Sequence, residues 1–394
     1  MTVLLTGATG FLGCRILRAL LADGTDEPLH VLGRGTPAEL RDRVEAAVSR
    51  PEIPVAGPGA FRRLHCHSAD LTRPGLGLEP GERSRITDGL TAVWHCAAQI
   101  SLTGDPVTLY RTNVLGTRGV LELAQDAPAA HVLHVSTAFV AGRRRDGRVG
   151  EDDLSDAHGF QIPYEETKHT AERLVHAWCR RTGRAATILR PSLLVTDRRV
   201  PDGLPDHPLG VLARFVENAL RRNSDDATWA RILRGEAHGT AMTFRIPGDP
   251  AGSLNLVQAD YAVEAMTRVL AHRTGGAGVH TVHVTHPQDT PVALVKSAFE
   301  ARYPGTTVEI TPEIPDPTPL EAAVIANTTH LSAYTTQHRT YDRTHLLQSV
   351  DGLPDPPPLD VAYLLRAMAP EAGAAPAGAP PGGLTASTGP APLP

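Results

Sequence analysis

The chain has 394 residues, of which 41% are hydrophobic and 21% are charged, as in globular proteins with a substantial core. Its net charge of -5 gives no basic footprint for nucleic acid, and no stretch approaches the ~20 apolar residues of a membrane span. The four cysteines form no CxxC pair and the N-terminus lacks the basic segment of a secretory signal, so we predict a cytoplasmic protein without metal, membrane or nucleic-acid partners.

Short apolar runs alternate with helix-like segments from residue 1 to about residue 195. The predicted strands are Val3–Leu5, Leu29–Leu32, Ala92–Trp94, His131–Val135 and Ala186–Leu189. The predicted helices between them are Cys14–Leu21, 38–48, Thr108–Ala124 and Glu165–Arg181. This alternation predicts βαβ units, and therefore an α/β fold with a doubly wound parallel sheet covered by helices on both faces.

The pattern changes beyond about residue 195 to loops, scattered helices and proline-rich turns. Helices are predicted over Leu209–Arg222 and Tyr261–His272, and a strand over Leu254–Val257. We therefore predict a first domain over 1–195, a smaller substrate-binding region over 196–368 interleaved with the last strands of the sheet, and a disordered Ala/Pro/Gly-rich tail over 369–394.

A glycine-rich turn, TGATGFLG (6–13), lies directly after the first predicted strand and before the first helix. Gly7, Gly10 and Gly13 allow a tight turn, close approach of the backbone to a pyrophosphate, and close packing of helix on strand. The amides at the start of the helix then hold the phosphates. We predict a Rossmann-type dinucleotide site that also includes Thr9, Phe11 and Leu12.

The end of the second predicted strand indicates which dinucleotide is bound. NAD enzymes place an acidic residue there for the ribose 2′-hydroxyl, whereas this chain has Leu32-Gly33-Arg34-Gly35. Arg34 can pair with a 2′-phosphate as a charge-assisted donor, which favours NADPH. After the next strand-like run come Asp70, whose carboxylate is suited to accept the adenine amino group, and Leu71.

Three residues form a candidate catalytic set. Tyr164 and Lys168 are four residues apart and therefore share one helix face. A neighbouring ammonium favours the phenolate, so we expect the tyrosine pKa to fall from about 10 toward working pH. Thr137 follows the strand that ends at Val135, where its hydroxyl can hydrogen-bond the carbonyl oxygen that Tyr164 protonates.

The chain resembles an extended short-chain dehydrogenase/reductase, and within that superfamily it is most similar to the thioester reductase and fatty-acyl reductase (male-sterility-type) branch. The resemblance covers about residues 1–290 and rests on TGATGFLG (6–13), HCAA (95–98), RTNVLGT (111–117), VSTAFVAG (135–142), YEETK (164–168) and LRPS (189–192).

The resemblance implies a role for each matching residue. Thr137 takes the catalytic Ser/Thr place, Tyr164 is the proton donor, and Lys168 lowers its pKa and holds the nicotinamide ribose. Asn113 supports that network. The residues Cys96, Ala97 and Ala98 line the cofactor, and Pro191 contacts its nicotinamide end.

Two positions depart from the family pattern, since Ala141 replaces a frequent tyrosine and Gln258 replaces the usual proline. Neither change removes a chemical group. Dehydratases of this fold place Asp-Glu directly after the catalytic threonine, whereas Ala138-Phe139 follow here, so dehydration lacks its acid and base.

A reductase acting on an acyl thioester, delivered as acyl-CoA or on a separate carrier protein, fits the branch best. A ketone or aldehyde reductase, a sugar-nucleotide epimerase and a non-enzymatic nucleotide sensor remain alternatives. The family also implies a homodimer through helices. Apolar residues suited to line an acyl trough are Leu204, Leu209, Val211, Leu212, Phe215 and Leu220, and basic residues suited to CoA phosphates or an acidic carrier are Arg198, Arg199, Arg214, Arg221 and Arg222.

Overall fold

A computed structural model describes residues 2–23, 25–49, 59–101, 104–198, 200, 206–222, 242–271, 276–319, 321–322, 325 and 333–368. No helix within these ranges has both the length and the apolar character that crossing a membrane requires. The predicted disordered tail 369–394 lies outside the described residues, as do Leu204 and Arg199.

The first half of the chain alternates strand and helix as predicted. Its strands are β1 (Thr2–Thr6), β2 (Leu29–Gly33), β3 (Leu64–Ser68), β4 (Leu90–His95), β5 (His131–Val135), β6 (Arg148–Val149), β7 (Ala185–Pro191) and β8 (Leu193–Val195). Its helices are α1 (Gly13–Leu21), α2 (Pro37–Val48), α3 (Pro80–Thr87), α4 (Pro106–Tyr110), α5 (Gly116–Gln125) and α6 (Pro163–Thr182). A capping box of Thr36 and Glu39 fixes the start of α2.

The second half contains five helices and seven strands within the described residues. Its helices are α7 (Pro208–Arg222), α8 (Ala259–Ala271), α9 (Val292–Arg302), α10 (Thr344–Ser349) and α11 (Val361–Ala367). Its strands are β9 (Met242–Pro247), β10 (Ser253–Leu254), β11 (Leu256–Gln258), β12 (Gly278–Val284), β13 (Thr290–Pro291), β14 (Thr306–Thr311) and β15 (Thr340–Tyr341).

Seven parallel strands form the central sheet in the order β12-β7-β5-β4-β1-β2-β3. Apolar side chains bury both faces, with Leu5 and Trp94 in the cluster on one face and Leu4 and Val93 in the cluster on the other. The chain order reverses between β1 and β4, which opens a crevice at the carboxyl ends of these strands. The predicted doubly wound α/β fold is confirmed.

Two predicted elements are interrupted in the structure. The single helix expected over Thr108–Ala124 is divided into α4 and α5 by a π-turn over Arg111–Leu115, where side-chain hydrogen bonds of Asn113 hold the backbone. The single strand expected over Leu254–Val257 is divided at Asn255, whose side chain bonds His286 and Asp289 and so turns the chain between β10 and β11.

A buried ion pair joins α6 to the central sheet. The guanidinium of Arg190, at the end of β7, donates to both carboxylate oxygens of Glu172 on α6, with a closest distance of 2.6 Å. These side chains are 1% and 0% exposed. Arg190 also donates to the backbone oxygen of Glu151 at 3.1 Å. Because both charges lie in the interior, removal of one leaves the other without compensation.

We expect Arg190→Met to lower the free energy of unfolding by about 3–5 kcal/mol, since it leaves the Glu172 carboxylate buried and unpaired. Urea unfolding at neutral pH measures this loss. Arg118→Met is the matched control, because Arg118 forms an exposed pair with Glu122 on α5 and should change stability by about 0.5 kcal/mol or less. Equal losses in the two variants would contradict the importance of the buried pair.

Candidate active site

The glycine turn after β1 lies against the chain that leaves β4. Gly7 has φ +77°, and a Cβ added to it would lie 2.7 Å from the Ala97 amide nitrogen. A Cβ on Gly13 would collide with the carbonyl oxygen of Gly7. Thr9, Gly10, Phe11 and Leu12 are partly exposed in the same turn. The structure therefore shows a cradle of bare backbone before α1, where a side chain at these glycines cannot be accommodated.

Two arginines lie near the end of β2. Arg34 is exposed, and its carbonyl oxygen accepts a hydrogen bond from the guanidinium of Arg43 on α2. Asp70 follows β3, and its Oδ1 accepts bonds from the amide and hydroxyl of Thr72 at 2.9 and 2.7 Å. These bonds, with a smaller effect of the Arg34 charge, lower the pKa of the Asp70 carboxyl. No sequence signal points to Arg43, because only the fold brings it beside Arg34.

Other residues predicted to contact a cofactor lie around the same edge of the sheet. Leu71 is in contact with Gly116 of α5. Cys96, Ala97 and Ala98 follow β4 directly, and Pro191 is the last residue of β7. Burial raises the pKa of the Cys96 thiol to about 12, so this cysteine stays protonated and is not a thiolate nucleophile.

A buried chain of hydrogen bonds connects β1, β4 and α5. The Ala97 amide donates to the Thr6 hydroxyl at 3.2 Å, which donates to His95 Nδ1 at 2.8 Å. His95 Nε2 then lies 3.0 Å from the Thr117 hydroxyl, which donates to the Asn113 carbonyl oxygen at 2.6 Å. Since each hydroxyl has a defined acceptor, the imidazole is protonated on Nε2. Burial lowers the pKa of His95 to about 3, which keeps it neutral.

The side chain of Asn113 continues this chain to the helix that carries the catalytic candidates. Its Oδ1 accepts from the Gln99 amide at 2.8 Å, and its Nδ2 donates to the Gln99 carbonyl and the Thr167 hydroxyl, each at 3.0 Å. Thr167 donates to the carbonyl oxygen of Tyr164 at 2.8 Å. Asn113 is 1% exposed. Its side chain thus positions the first turn of α6 from the protein interior.

Thr137 lies at the end of β5, in the turn that leads to the helical segment Ala138–Ala141. Its hydroxyl is 3.5 Å from the carbonyl oxygen of Pro191 and accepts a bond from the Phe139 amide at 3.3 Å. The first distance is long for a hydrogen bond between two oxygens, so this bond is weak. The structure brings Thr137 and Pro191 together.

Lys168 is buried beside β5, at 2% exposure. Its ammonium donates to the carbonyl oxygen of Val135 at 2.6 Å and lies 3.5 Å from His134 Nε2. Burial lowers the pKa of Lys168 to about 8, while the Glu172 carboxylate acts in the opposite direction. The ammonium is therefore anchored to the last residue of β5, two positions before Thr137.

Burial raises the pKa of the Tyr164 phenol, and the adjacent Glu165 carboxylate raises it further. The prediction that Lys168 lowers this pKa is therefore wrong for this structure, in which the ammonium is bonded to a backbone carbonyl and burial is the largest effect. Tyr164 is consequently a neutral phenol, a form that can donate a proton or a hydrogen bond.

Glu165 was missed as a site residue by sequence reasoning. It is 0% exposed, and its carboxylate accepts from the Tyr334 hydroxyl at 2.5 Å and from the Gln161 amide at 2.7 Å. The ring of Tyr334 lies 4.6 Å from that of Phe139. No local sequence signal points to Tyr334, because it is 169 residues from Glu165 along the chain.

Only some of the residues predicted to line an acyl trough or to form a basic patch lie in the described part of the chain. Leu209 is buried in a hydrophobic cluster, whereas Val211 is 47% exposed, so the two do not line one continuous wall. Arg198 and Arg214 form ion pairs with Asp260 and Asp206. Of the other predicted residues, Leu212 is partly buried and Arg221 is exposed, and the side chains of Phe215, Leu220 and Arg222 lie outside the described part.

Comparison with known proteins identifies related sequences. Residues 5–266 match the family described as male sterility protein. The chain is 31% identical over 294 residues to an isonitrile lipopeptide synthase from Streptomyces coeruleorubidus, which covers 74% of this chain and 18% of that protein. It is also 31% identical over 194 residues to D-lysergyl-peptide-synthetase subunit 3 from Claviceps purpurea, with 48% and 10% covered. The chain therefore spans less than a fifth of the length of these relatives.

Solved structures share the fold. The terminal R domain from the myxalamid PKS-NRPS biosynthetic pathway superimposes with a TM-score of 0.68 at 22% identity, covering 93% of this chain and 88% of that one. A UDP-glucuronic acid 4-epimerase from Bacillus cereus in complex with NAD gives a TM-score of 0.60 at 17% identity, with 93% and 97% covered. At these identities the comparisons establish the fold.

We expect the Lys168 ammonium to lose its proton with a midpoint near pH 8, because burial disfavours its charge. The chain has two lysines, so protein labelled with 13C-lysine gives two side-chain signals in a pH titration by NMR. Lys296, partly exposed and paired with Glu300, is the internal reference, and Lys296→Arg assigns the signals. A Lys168 midpoint above about 10, the ordinary lysine value, would contradict the effect of burial.

Proposed function

Because this chain belongs to the male sterility protein family and has the fold of extended short-chain dehydrogenases/reductases, we propose that it is an NADPH-dependent reductase of acyl thioesters. The substrate is bound to CoA or to a carrier protein, and the first product is an aldehyde, which a second reduction can convert to an alcohol. The observation that supports the proposal is that Thr137 lies beside Pro191 at the end of β7 and Lys168 bonds the carbonyl oxygen of Val135 at the end of β5, with Tyr164 one helical turn before Lys168 on α6.

The residues of the crevice fit a dinucleotide. Backbone amides of the glycine turn would hold the pyrophosphate at the N-terminus of α1. Arg34 and Arg43 would meet a 2′-phosphate, and Asp70 and Pro191 would lie toward the adenine and the nicotinamide ends. When bound, the reduced cofactor supplies hydride to the substrate carbonyl.

The catalytic side chains would act on the oxygen of that carbonyl. The neutral Tyr164 phenol and the Thr137 hydroxyl donate hydrogen bonds to the developing oxyanion, which lowers the barrier to hydride addition. Tyr164 then gives its proton to this oxygen, forming a hemithioacetal. The hemithioacetal breaks its carbon–sulfur bond, its hydroxyl proton passes to the leaving sulfur, and the products are aldehyde and free thiol.

Asn113 and His95 would act as positioning residues in this mechanism. Their hydrogen bonds hold the backbone of Tyr164 and the Ala97 amide within one buried network. The network would therefore fix the distance between the proton donor and the segment after β4 that would line the cofactor. Lys168 adds a positive charge beneath the site, where it would bind the nicotinamide ribose while it remains protonated.

The family relatives support a thioester as the substrate, since two of them are named as peptide or lipopeptide synthases. A ketone reductase or an epimerase would use the same three catalytic residues. The two classes differ in product, because only a thioester releases a thiol. Incubation of the protein with NADPH and a panel of acyl-CoA, acyl-carrier, ketone and UDP-sugar substrates therefore tests the proposal, with a thiol reagent as readout. Reduction of a ketone without thiol release from any thioester would reject it.

We expect Tyr164→Phe to lower the rate of thiol release by about 10²–10⁴-fold while cofactor binding is retained, because the variant loses the proton donor but keeps the ring. Single-turnover rates and fluorescence titration of NADPH measure the two quantities. Tyr363→Phe is a control on the C-terminal helix α11 and should react at the normal rate. More than about a tenth of normal activity in Tyr164→Phe would show that the proton donor is another group.

We expect Arg34→Ala to weaken NADPH binding by about 1.5–3 kcal/mol, the contribution of a charged hydrogen bond, and to leave NADH binding nearly unchanged. Calorimetric titration with each cofactor measures the difference. Arg173→Ala removes an exposed arginine from α6 and serves as the control. Equal losses for NADPH and NADH would contradict a contact between Arg34 and the 2′-phosphate.

A further inference from the structure

The first turn of α6, which carries Tyr164, begins without a side-chain cap. Its cap residue is Ile162, whose apolar side chain offers no acceptor to the amides at the start of the helix. Helix ends without such a partner fray. Tyr164 is the proton donor of the proposed reaction, so the contacts that hold this turn affect the rate of that reaction.

Glu165 makes contacts that replace the missing cap. Its carboxylate accepts from the amide of Gln161 at 2.7 Å and from the hydroxyl of Tyr334 at 2.5 Å. It is 0% exposed, and it forms no ion pair with any described residue. Burial and this carboxylate raise the pKa of the Tyr334 phenol, which therefore keeps its proton and remains a donor. Two hydrogen-bond donors thus hold a buried carboxylate next to the proton donor in sequence.

The ring of Tyr334 contacts the turn that carries Thr137. The centroid of this ring lies 4.6 Å from that of Phe139, and the two planes are inclined at 59°. The amide of Phe139 donates to the Thr137 hydroxyl at 3.3 Å. Tyr334 is 5% exposed. One buried side chain therefore contacts both segments that would supply hydrogen-bond donors to the substrate oxygen.

The backbone around Tyr334 is held by two other parts of the chain. The hydroxyl of Thr335 accepts a bond from the Asp249 amide at 3.1 Å. The amide of His338 donates to the carbonyl oxygen of Arg145 at 2.8 Å. Tyr334 therefore projects from a segment that is bonded on both sides, and this support lets it hold other groups in place.

We propose that Tyr334 is a positioning residue for the proposed reaction and that it holds Tyr164 in place relative to Thr137. Its hydroxyl acts through Glu165, and its ring acts through Phe139. Tyr334 itself contacts neither the substrate nor the cofactor in this arrangement. The inference rests on the proposed function, because the two groups that it positions are the proton donor and the second hydrogen-bond donor of that reaction.

The variant Tyr334→Phe removes the hydroxyl and keeps the ring against Phe139. We measure it with NADPH and the acyl thioester of the panel that releases thiol fastest, or with the ketone if no thioester reacts. We expect kcat to fall about fivefold or more, because a small displacement of the proton donor lowers the rate steeply. The KM of the substrate and the dissociation constant of NADPH should stay within about twofold, since neither ligand loses a contact.

Tyr303→Phe is the matched control for this variant. Tyr303 is 1% exposed, and its hydroxyl lies 3.4 Å from a carboxylate oxygen of Glu217 on α7. Its replacement therefore removes a buried hydroxyl beside a carboxylate at another place in the fold. We expect this variant to keep the kcat of the wild-type protein.

A double-mutant cycle tests whether the hydroxyl of Tyr334 acts through Glu165. Glu165→Gln keeps the size of the side chain and removes its charge, and we expect it to lower kcat as well. The double variant should be no slower than the slower single variant, because the two groups act on each other. Additive losses would overturn the proposed connection.

Hydrogen exchange measures the positioning without turnover. Peptides that cover residues 161–168 should exchange about 10-fold faster in Tyr334→Phe than in the wild-type protein, because the first turn of α6 opens more often. Peptides that cover residues 174–182, at the other end of the same helix, should exchange at the wild-type rate and so show that the variant is folded.

The outcomes separate this inference from the proposed function. In folded Tyr334→Phe protein, a fall in kcat of less than about fivefold, a loss confined to KM, or unchanged exchange over 161–168 would overturn the positioning role, even if wild-type protein releases thiol from acyl thioesters. Conversely, absence of thiol release from every thioester would reject the proposed reaction. Slower ketone reduction and faster exchange in the variant would then still support the positioning role.

Discussion

The geometry of the site depends on one buried chain of hydrogen bonds that begins at Thr6 and ends at the backbone of Tyr164. Every hydroxyl and imidazole in it both accepts and donates, so no member can turn without leaving a buried polar group unpaired. This network joins four elements, β1, β4, α5 and α6. Asn113, which takes part through both its carbonyl and its side chain, lies within the π-turn.

Charges in the interior are arranged around the same helix. The ion pair of Glu172 with Arg190 fixes α6 against β7, and Lys168 lies one turn earlier on that helix. Glu172 therefore has two cationic neighbours, one that it binds directly and one whose protonated form it favours from a distance. The buried Glu172 carboxylate therefore offsets part of the free-energy cost of burying the Lys168 ammonium.

The sequence predicted those features that depend on local pattern. The glycine turn and the Tyr164–Lys168 spacing are encoded within a few residues, and the structure has the turn between β1 and α1 and both side chains on α6. The pKa of Tyr164 could not be predicted, because it depends on burial and on the charge of the buried Glu165 carboxylate, while the Lys168 ammonium is bonded to the Val135 carbonyl. The breaks at Asn113 and Asn255 were likewise missed, since each follows from partners supplied by other elements.

The short pairing of β15 with β6 has a consequence for how the protein is made. Residues 340 and 341 bond to residues 148 and 149, and the bond from Arg339 to Gly142 joins groups 197 positions apart. Contacts of such separation form late, after the loop between them has been closed. During synthesis the loop after Thr137 therefore lacks its contacts with residues 339–341 until nearly the whole described chain has left the ribosome. A fragment ending before residue 333 would lack these contacts as well as Leu346 and Val350, which belong to the hydrophobic cluster on one face of the sheet.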